Sequence, residues 1–263
     1  MKNKTRLPHI FLWLVMLLMY LPIAIVIIYS FNESKLTSIW SGFSFKWYRE
    51  LFYDKSMFLA LKNSLVLGIT SSLAAGIIGT LGAVGMSKMP LKSNNIIAYI
   101  SSLPIMIPEI ILGMVFLTFF SLIGLPFGMT TLIIAHTTFC IPYVFMLVKA
   151  RLVGVDKSYI EAAKDLGASE TRAFFDITLP IIFPAVLSGM LLSFAMSFDD
   201  VIISIFVTGA NVTTLPIKIY TQLKTGVSPK INALCSIIFA VTVIIVVIAT
   251  LINKKIKIKG ENQ

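Results

Sequence analysis

Three carboxylates lie in or at the edge of stretches that otherwise carry no charge: Glu109 and the neighbours Asp199 and Asp200. An ionised side chain at the centre of a membrane-spanning helix costs roughly 2.5 to 3.5 kcal/mol on insertion scales, so each acid needs a partner, a wet cavity or closeness to the surface. Neither surrounding stretch, 96–120 or 182–207, holds a Lys or Arg to neutralise them. A cationic solute would, which makes the three acids candidates for a substrate pathway. The competing reading is structural, with Asp199 and Asp200 bonding backbone at a membrane surface and Glu109 bonding a helix kinked by Pro104 and Pro108. Trp47, with Tyr48 and Phe52 nearby, offers an aromatic face to the same cation, worth about 0.5 to 2 kcal/mol. It equally suits an interfacial anchor.

Other chemistry is sparse. His136 is a lone histidine in an apolar run and reads as a structural hydrogen-bonding group. Cys140 and Cys235 fall in apolar runs and read as small hydrophobes, not as a disulfide or metal pair. The sequence G-x-x-x-x-G-K followed by Ser or Thr, which would cradle nucleotide phosphates, occurs nowhere in the chain. The reading is therefore of a non-enzymatic subunit that binds no cofactor itself.

The elements that must position these residues are membrane helices. The 263 residues are 57% hydrophobic and 13% charged with mean hydropathy +0.91, more apolar surface than a soluble core can use. A net charge of +10 would suit nucleic acid, but the basic residues sit in short segments between apolar runs, as the positive-inside rule requires. The fold class expected is all-α, a polytopic membrane protein with six transmembrane helices, at about 10–29, 64–86, 96–120, 130–148, 182–207 and 232–252. The first apolar run, without charge from Ile10 to Tyr29, is too long for a cleavable leader and is expected to stay as a helix. Lys2, Lys4 and Arg6 before it, Lys88 and Lys92 after the second run, and the lysines that follow the sixth place both termini in the cytoplasm. The outer segment around SGFSFKWYRELFYDK reads as an interfacial helix. In the second span Ser72, Ala75, Gly76, Gly79 and Ala83 form a small-residue face for close helix approach. The chain is read as a single transmembrane domain, 1–263, with the polar interval 157–180 as a cytoplasmic loop within it.

That interval, KSYIEAAKDLGASETRAFFDITLP, is the longest polar stretch on the cytoplasmic side. Ser158 and Glu161 have capping-box spacing, Gly167 can end the first helix in the left-handed region, and Ser169 can cap a second that must stop before Pro180. Glu161-Ala162-Ala163, Gly167 and Ile177-Thr178-Leu179-Pro180 resemble, at each position and spacing, the EAA signature of ABC importer permeases. FNESKLTSIWSGFSFKWYRELF, MSFDDVIISIFVTG, LPIKIY and GVSPKINAL look like the PotC-type permeases of spermidine/putrescine importers, and the similarity covers nearly the whole chain.

The resemblance implies a type I, MetI-like permease fold in a bacterial cytoplasmic membrane. It implies as partners a cytoplasmic ABC ATPase dimer that carries the ATP–Mg, a second homologous permease and an extracytoplasmic solute-binding protein. Glu161, Ala162, Ala163, Gly167 and Glu170 would then form the coupling contact with the ATPase, and Glu109, Asp199, Asp200 and Trp47 the polyamine pathway. Lys218, Lys224 and Lys230 could help dock an acidic binding protein. Glu109 departs from the aspartate expected in that family, which keeps the charge with a longer reach. The alternatives are a permease for another small solute, an ion-coupled secondary transporter, for which no inverted repeat is visible, and a cation channel, for which no selectivity element is identified.

Overall fold

The structure is a computed structural model, and it describes residues 6–35, 39–88, 94–156, 158–224, 226 and 228–261. Lys2, Lys4, Lys92 and Lys157, used above for orientation and for the start of the polar loop, lie outside the described residues.

The described residues are mostly helical. The helices are α1 (Arg6–Tyr29), α2 (Lys46–Phe52), α3 (Lys55–Lys88), α4 (Asn94–Met106), α5 (Glu109–Leu122) and α6 (Met129–Val153). There follow α7 (Ser158–Asp165), α8 (Glu170–Ala173), a π-helical turn (Phe174–Thr178), α9 (Leu179–Asp199), α10 (Ile202–Val207), α11 (Leu215–Lys224) and α12 (Pro229–Glu261). Among the described residues five helical stretches are long and apolar enough to cross a membrane, and six if the bent pair α4 and α5 is one span. The all-α polytopic class and the count of spans agree with expectation.

Two expected spans are interrupted, and the stop expected at Pro180 is absent. Span three is two helices meeting at 106°. Pro108 lacks the amide a continuing helix would need, and its ψ of 133° turns the chain out of the helical region before Glu109 opens α5. Span five ends at Asp199; Asp200 is extended, with ψ 126°, and the chain resumes as the short α10. Pro180 does not stop the preceding helix, contrary to the sequence reading. The π-helical turn ahead of it widens the backbone, and Leu179 donates to the Phe174 carbonyl five residues back. In that register the ring of Pro180 fits the first turn of α9, where its missing amide costs little.

Backbone contacts group the chain into two compact units, Met1–Phe58 with Thr221–Gln263 and Leu59–Tyr220. In the first, α12 packs against α1 and α2. Trp47 is only 2% exposed, and its indole N–H donates to the Asn32 carbonyl at 2.6 Å. The Asn32 side chain in turn bonds the Ile39 carbonyl and the Ser41 amide, at 2.8 and 3.0 Å. Phe31 stacks on Phe43 with ring centroids 5.0 Å apart. Asp54 accepts the Met57 amide at 3.0 Å, capping the start of α3, and forms an ion pair with Lys230 in the first turn of α12.

In the second unit the core is built on α6, whose Leu132, Ala135, Cys140, Val144 and Val148 are fully buried, with Ile182 of α9 and Ile203 and Val207 of α10. The small-residue face of α3 is used as its spacing implied. A side-chain carbon placed at Gly79 would lie 2.9 Å from Val144 Cβ and 3.0 Å from the Phe145 amide nitrogen. Gly189 of α9 meets the same part of α6, where a side-chain carbon would lie 2.9 Å from Val144 Cα. Such backbone approach is the main source of helix association where lipid offers no hydrophobic drive.

Candidate functional site

Two sites emerge, both in the second unit. The first is the polar loop. Asp156 accepts the Ser158 amide at 2.9 Å, at the first residue of α7. The bond holds the Asp156 carboxyl below the usual carboxylate range. Gly167 has φ +84°. Its amide bonds the Lys164 carbonyl and the Ala168 amide bonds the Ala163 carbonyl, both at 2.9 Å, the paired closure of a glycine-ended helix. Ser169 caps α8 by accepting the Arg172 amide at 3.3 Å. Glu161, Ala162, Gly167 and Glu170 are exposed and Ala163 is half-buried.

Behind them is a cleft of about 430 Å³ between the ends of α3 and α6, α7 and α8, with Val84, Leu152 and Phe174 forming its apolar wall and Lys88, Glu161, Lys164 and Glu170 its polar side. Glu170 accepts from Lys164 at 2.8 Å and lies 3.9 Å from Lys88. Sequence reading gives Glu170 a contact with a foreign protein and pairs it with neither lysine. The Glu170 carboxylate joins the end of a membrane helix to the loop and keeps its outer face open to solvent.

The second site is a cavity of about 440 Å³ lined by Glu109, Ala195, Met196, Asp199, Asp200, Val201 and Ile202. The three acids picked out from sequence converge there because two helix breaks coincide. Pro108 starts α5 at Glu109, and the extended Asp200 ends α9 at Asp199. α10, which follows that break, packs against α5, and Phe206 covers Gly113 so closely that a side-chain carbon there would sit 2.4 Å from its ring.

The acids are not equivalent. Glu109 and Asp199 are exposed to the cavity, whereas Asp200 is buried. The Asp200 carboxylate accepts the amides of Ile203 and Ser204 at 3.1 and 2.8 Å and lies 3.4 Å from His136 Nε2. Its oxygens are engaged by the backbone at the start of α10. His136 bonds Ser197 through Nδ1 at 2.8 Å and Ser204 through Nε2 at 3.0 Å. Its structural role was legible, but its serine partners, Ser197 on α9 and Ser204 on α10, were not picked out.

Trp47 is corrected. It is not a face on which a solute could rest, because the ring is enclosed, its N–H is taken by Asn32 and the Lys46 ammonium lies 5.0 Å from its centroid. Cys140 and Cys235 are free thiols, and among the described residues no cluster of His, Cys, Asp and Glu could hold a metal.

Residues 72–258 match the family of binding-protein-dependent transport system inner membrane components. The spermidine/putrescine transport system permease protein PotC of Escherichia coli K12 is 40% identical over 92% of this chain and 91% of its own. PotC of Haemophilus influenzae is 37% identical over 95% and 97%. The putrescine transport system permease protein PotI of Escherichia coli K12 is 41% identical over 88% and 85%. In fold, the chain is similar to a bacterial ABC transporter involved in import of the acidic polysaccharide alginate, with TM-score 0.72 and 15% identity over 94% of both chains. It is also similar to the MetNI methionine transporter in an inward-facing form, with TM-score 0.57 and 16% identity over 74% of this chain and 95% of the other. A family match over most of the chain, relatives alike along nearly their whole length and the same helical fold agree: the chain belongs to the binding-protein-dependent transport system inner membrane components, the permease subunits of ABC transporters.

Proposed function

We propose that this chain is a permease subunit of an ATP-driven importer that passes polyamines, spermidine or putrescine, across the bacterial cytoplasmic membrane. The observation that carries the substrate class is the convergence of Glu109 and Asp199 on one cavity at two helix breaks. Two carboxylates open to a cavity, with the third acid committed to protein bonds, form a site suited to a cation with more than one ammonium group. The likeness to PotC and PotI along nearly the full length supports the same class.

Coupling runs through the other site. Glu161, Ala162, Ala163, Gly167 and Glu170 form the outer face of the α7–α8 loop, where a cytoplasmic ATPase dimer carrying ATP–Mg docks. A push on α8 reaches α9 without a joint, since the π-helical turn keeps the backbone helical from Glu170 to Asp199. Through Glu170 and Lys88 it also reaches the end of α3. A second permease completes the pathway, an extracytoplasmic binding protein delivers the solute, and both termini of this chain face the cytoplasm.

The test is copurification of the partner subunits followed by reconstitution. Uptake of labelled spermidine or putrescine should require ATP inside the vesicle and binding protein outside it. Uptake by the purified chain alone, driven by an ion gradient, would overturn the proposal in favour of a secondary transporter.

A further inference from the structure

The acids of the cavity stand where they do because α9 breaks at Asp200, and the break is held from outside the cavity by a residue of another helix. His136 is fully buried on α6. One ring nitrogen bonds Ser197 on α9, before the break; the other bonds Ser204 on α10, beyond it, and lies 3.4 Å from Asp200 within it. Asp200 then fixes the start of α10 through the Ile203 and Ser204 amides. The chain of bonds continues to α3, because Ser197 Oγ is 3.0 Å from Ser71 Oγ. A single imidazole thus spans the interruption that turns Asp199 toward Glu109.

The cost of the arrangement makes a packing role an incomplete account. A buried histidine and a buried carboxylate are expensive to desolvate, and apolar residues of similar volume often serve stability equally well. What apolar residues cannot supply is direction. Two ring nitrogens about opposite edges of one plane tie two backbone segments at a set separation, and the Asp200 cap sets where α10 begins. The cavity lining includes Asp199, Asp200, Val201 and Ile202, the residues of the break itself. A shift of that segment moves the solute-facing carboxylate with it.

We infer that His136 is a positioning residue for solute binding: by bonding Ser197, Ser204 and Asp200 across the α9–α10 break it holds Asp199 facing Glu109, and it does not touch the solute. The inference rests on the proposal that Glu109 and Asp199 receive a polyamine.

The test is equilibrium binding of labelled spermidine to the purified complex of both permeases and the ATPase, without binding protein. His136→Leu should weaken binding roughly tenfold or more, the scale of losing hydrogen bonds around a charged group, and His136→Gln, which keeps a donor and an acceptor, should recover part of it. In a complex already carrying Asp199→Asn, His136→Leu should add less than about twofold, because it acts through that residue. Binding within twofold of the unmodified complex, or an effect that multiplies in full on top of Asp199→Asn, overturns the inference. If His136→Leu does not assemble, Ser204→Ala decides by the same two criteria. Failure of the site is distinguishable: unaltered binding in both Glu109→Gln and Asp199→Asn removes the site and His136's role together, whereas weakened binding in those two with a silent His136→Leu removes only the role of His136.

Discussion

Glu170 and Lys164 pair at 2.8 Å across the glycine turn that joins α7 to α8. Both side chains are exposed, at 69% and 46%, and solvent screens a pair of this kind so that it contributes little to stability. Glu170→Gln should therefore leave the thermal stability of the purified complex nearly unchanged. If the loop is the docking face, the same variant lowers ATP-driven uptake, which a stability measurement and an uptake assay on one preparation will separate.

Gly167 gives a sharper version of the same test. A side-chain carbon at this position would meet open space, so the obstacle to substitution is its φ of +84° and not crowding. Gly167→Val should strain the turn by about 1 to 2 kcal/mol per residue forced into the left-handed region, misdirect α8 and uncouple uptake from ATP hydrolysis. Gly167→Asn should be milder, since asparagine tolerates that region. Membrane insertion should be unaffected in both. Uptake and hydrolysis measured in parallel check this, and normal uptake in Gly167→Val counts against the coupling role.

Close helix approach in the second unit predicts a different kind of failure. Gly189 faces backbone, with Val144 Cα 2.9 Å from where its side chain would begin. Backbone cannot rotate away, so Gly189→Leu should force α6 and α9 apart and cost about 1 to 3 kcal/mol or more. The expected readout is a lower melting temperature and poor assembly of the complex, not a change in solute preference.

Acid sensitivity should be traceable to Asp54. Burial alone would raise its carboxyl, but the hydrogen bond and charge of Lys230 and the amides of Met57 and Ser56 together hold it below the usual value. A carboxyl lowered on folding contributes its stabilisation above the unfolded value, near 4, and loses it as pH falls through the lower folded value. Asp54→Asn should thus flatten the stability of the complex against pH below about 4. Lys230→Met, which leaves the carboxylate without its cation, should cost about 1 to 3 kcal/mol at neutral pH. Thermal melts from about pH 2 to 7, which cover the plateau above the unfolded value and the loss below it, check both.

Much of the fold and the loop was legible because the signals were local. Six apolar runs of bilayer length gave the spans, and Gly167 and Ser169 closed and opened the loop helices by chemistry written at those positions. The breaks were harder. A hydropathy window averages over Pro108 and Asp200, so spans three and five read as continuous although the chain turns at both. Pro180 misled in the other direction, since a π-helical turn let the backbone run on where an α-helix would have stopped. The acids at 109, 199 and 200 were visible as misplaced charges, but which of them is open depends on Ile203, Ser204 and His136, and no spacing rule links a histidine on α6 to the start of α10. Trp47 failed for a related reason: aromatic residues alternating with charged ones look alike whether the ring lies on a surface or folds over Asn32.

The most direct measurement is ATP-driven uptake of labelled spermidine into proteoliposomes carrying the full importer, comparing the unmodified chain with Glu109→Gln/Asp199→Asn. The account predicts accumulation that requires binding protein and ATP in the first, and in the second a loss of roughly tenfold or more in spermidine moved per ATP hydrolysed, the scale of one or two charged hydrogen bonds. Equal transport by both, or none by the unmodified importer with all its partners present, would contradict it.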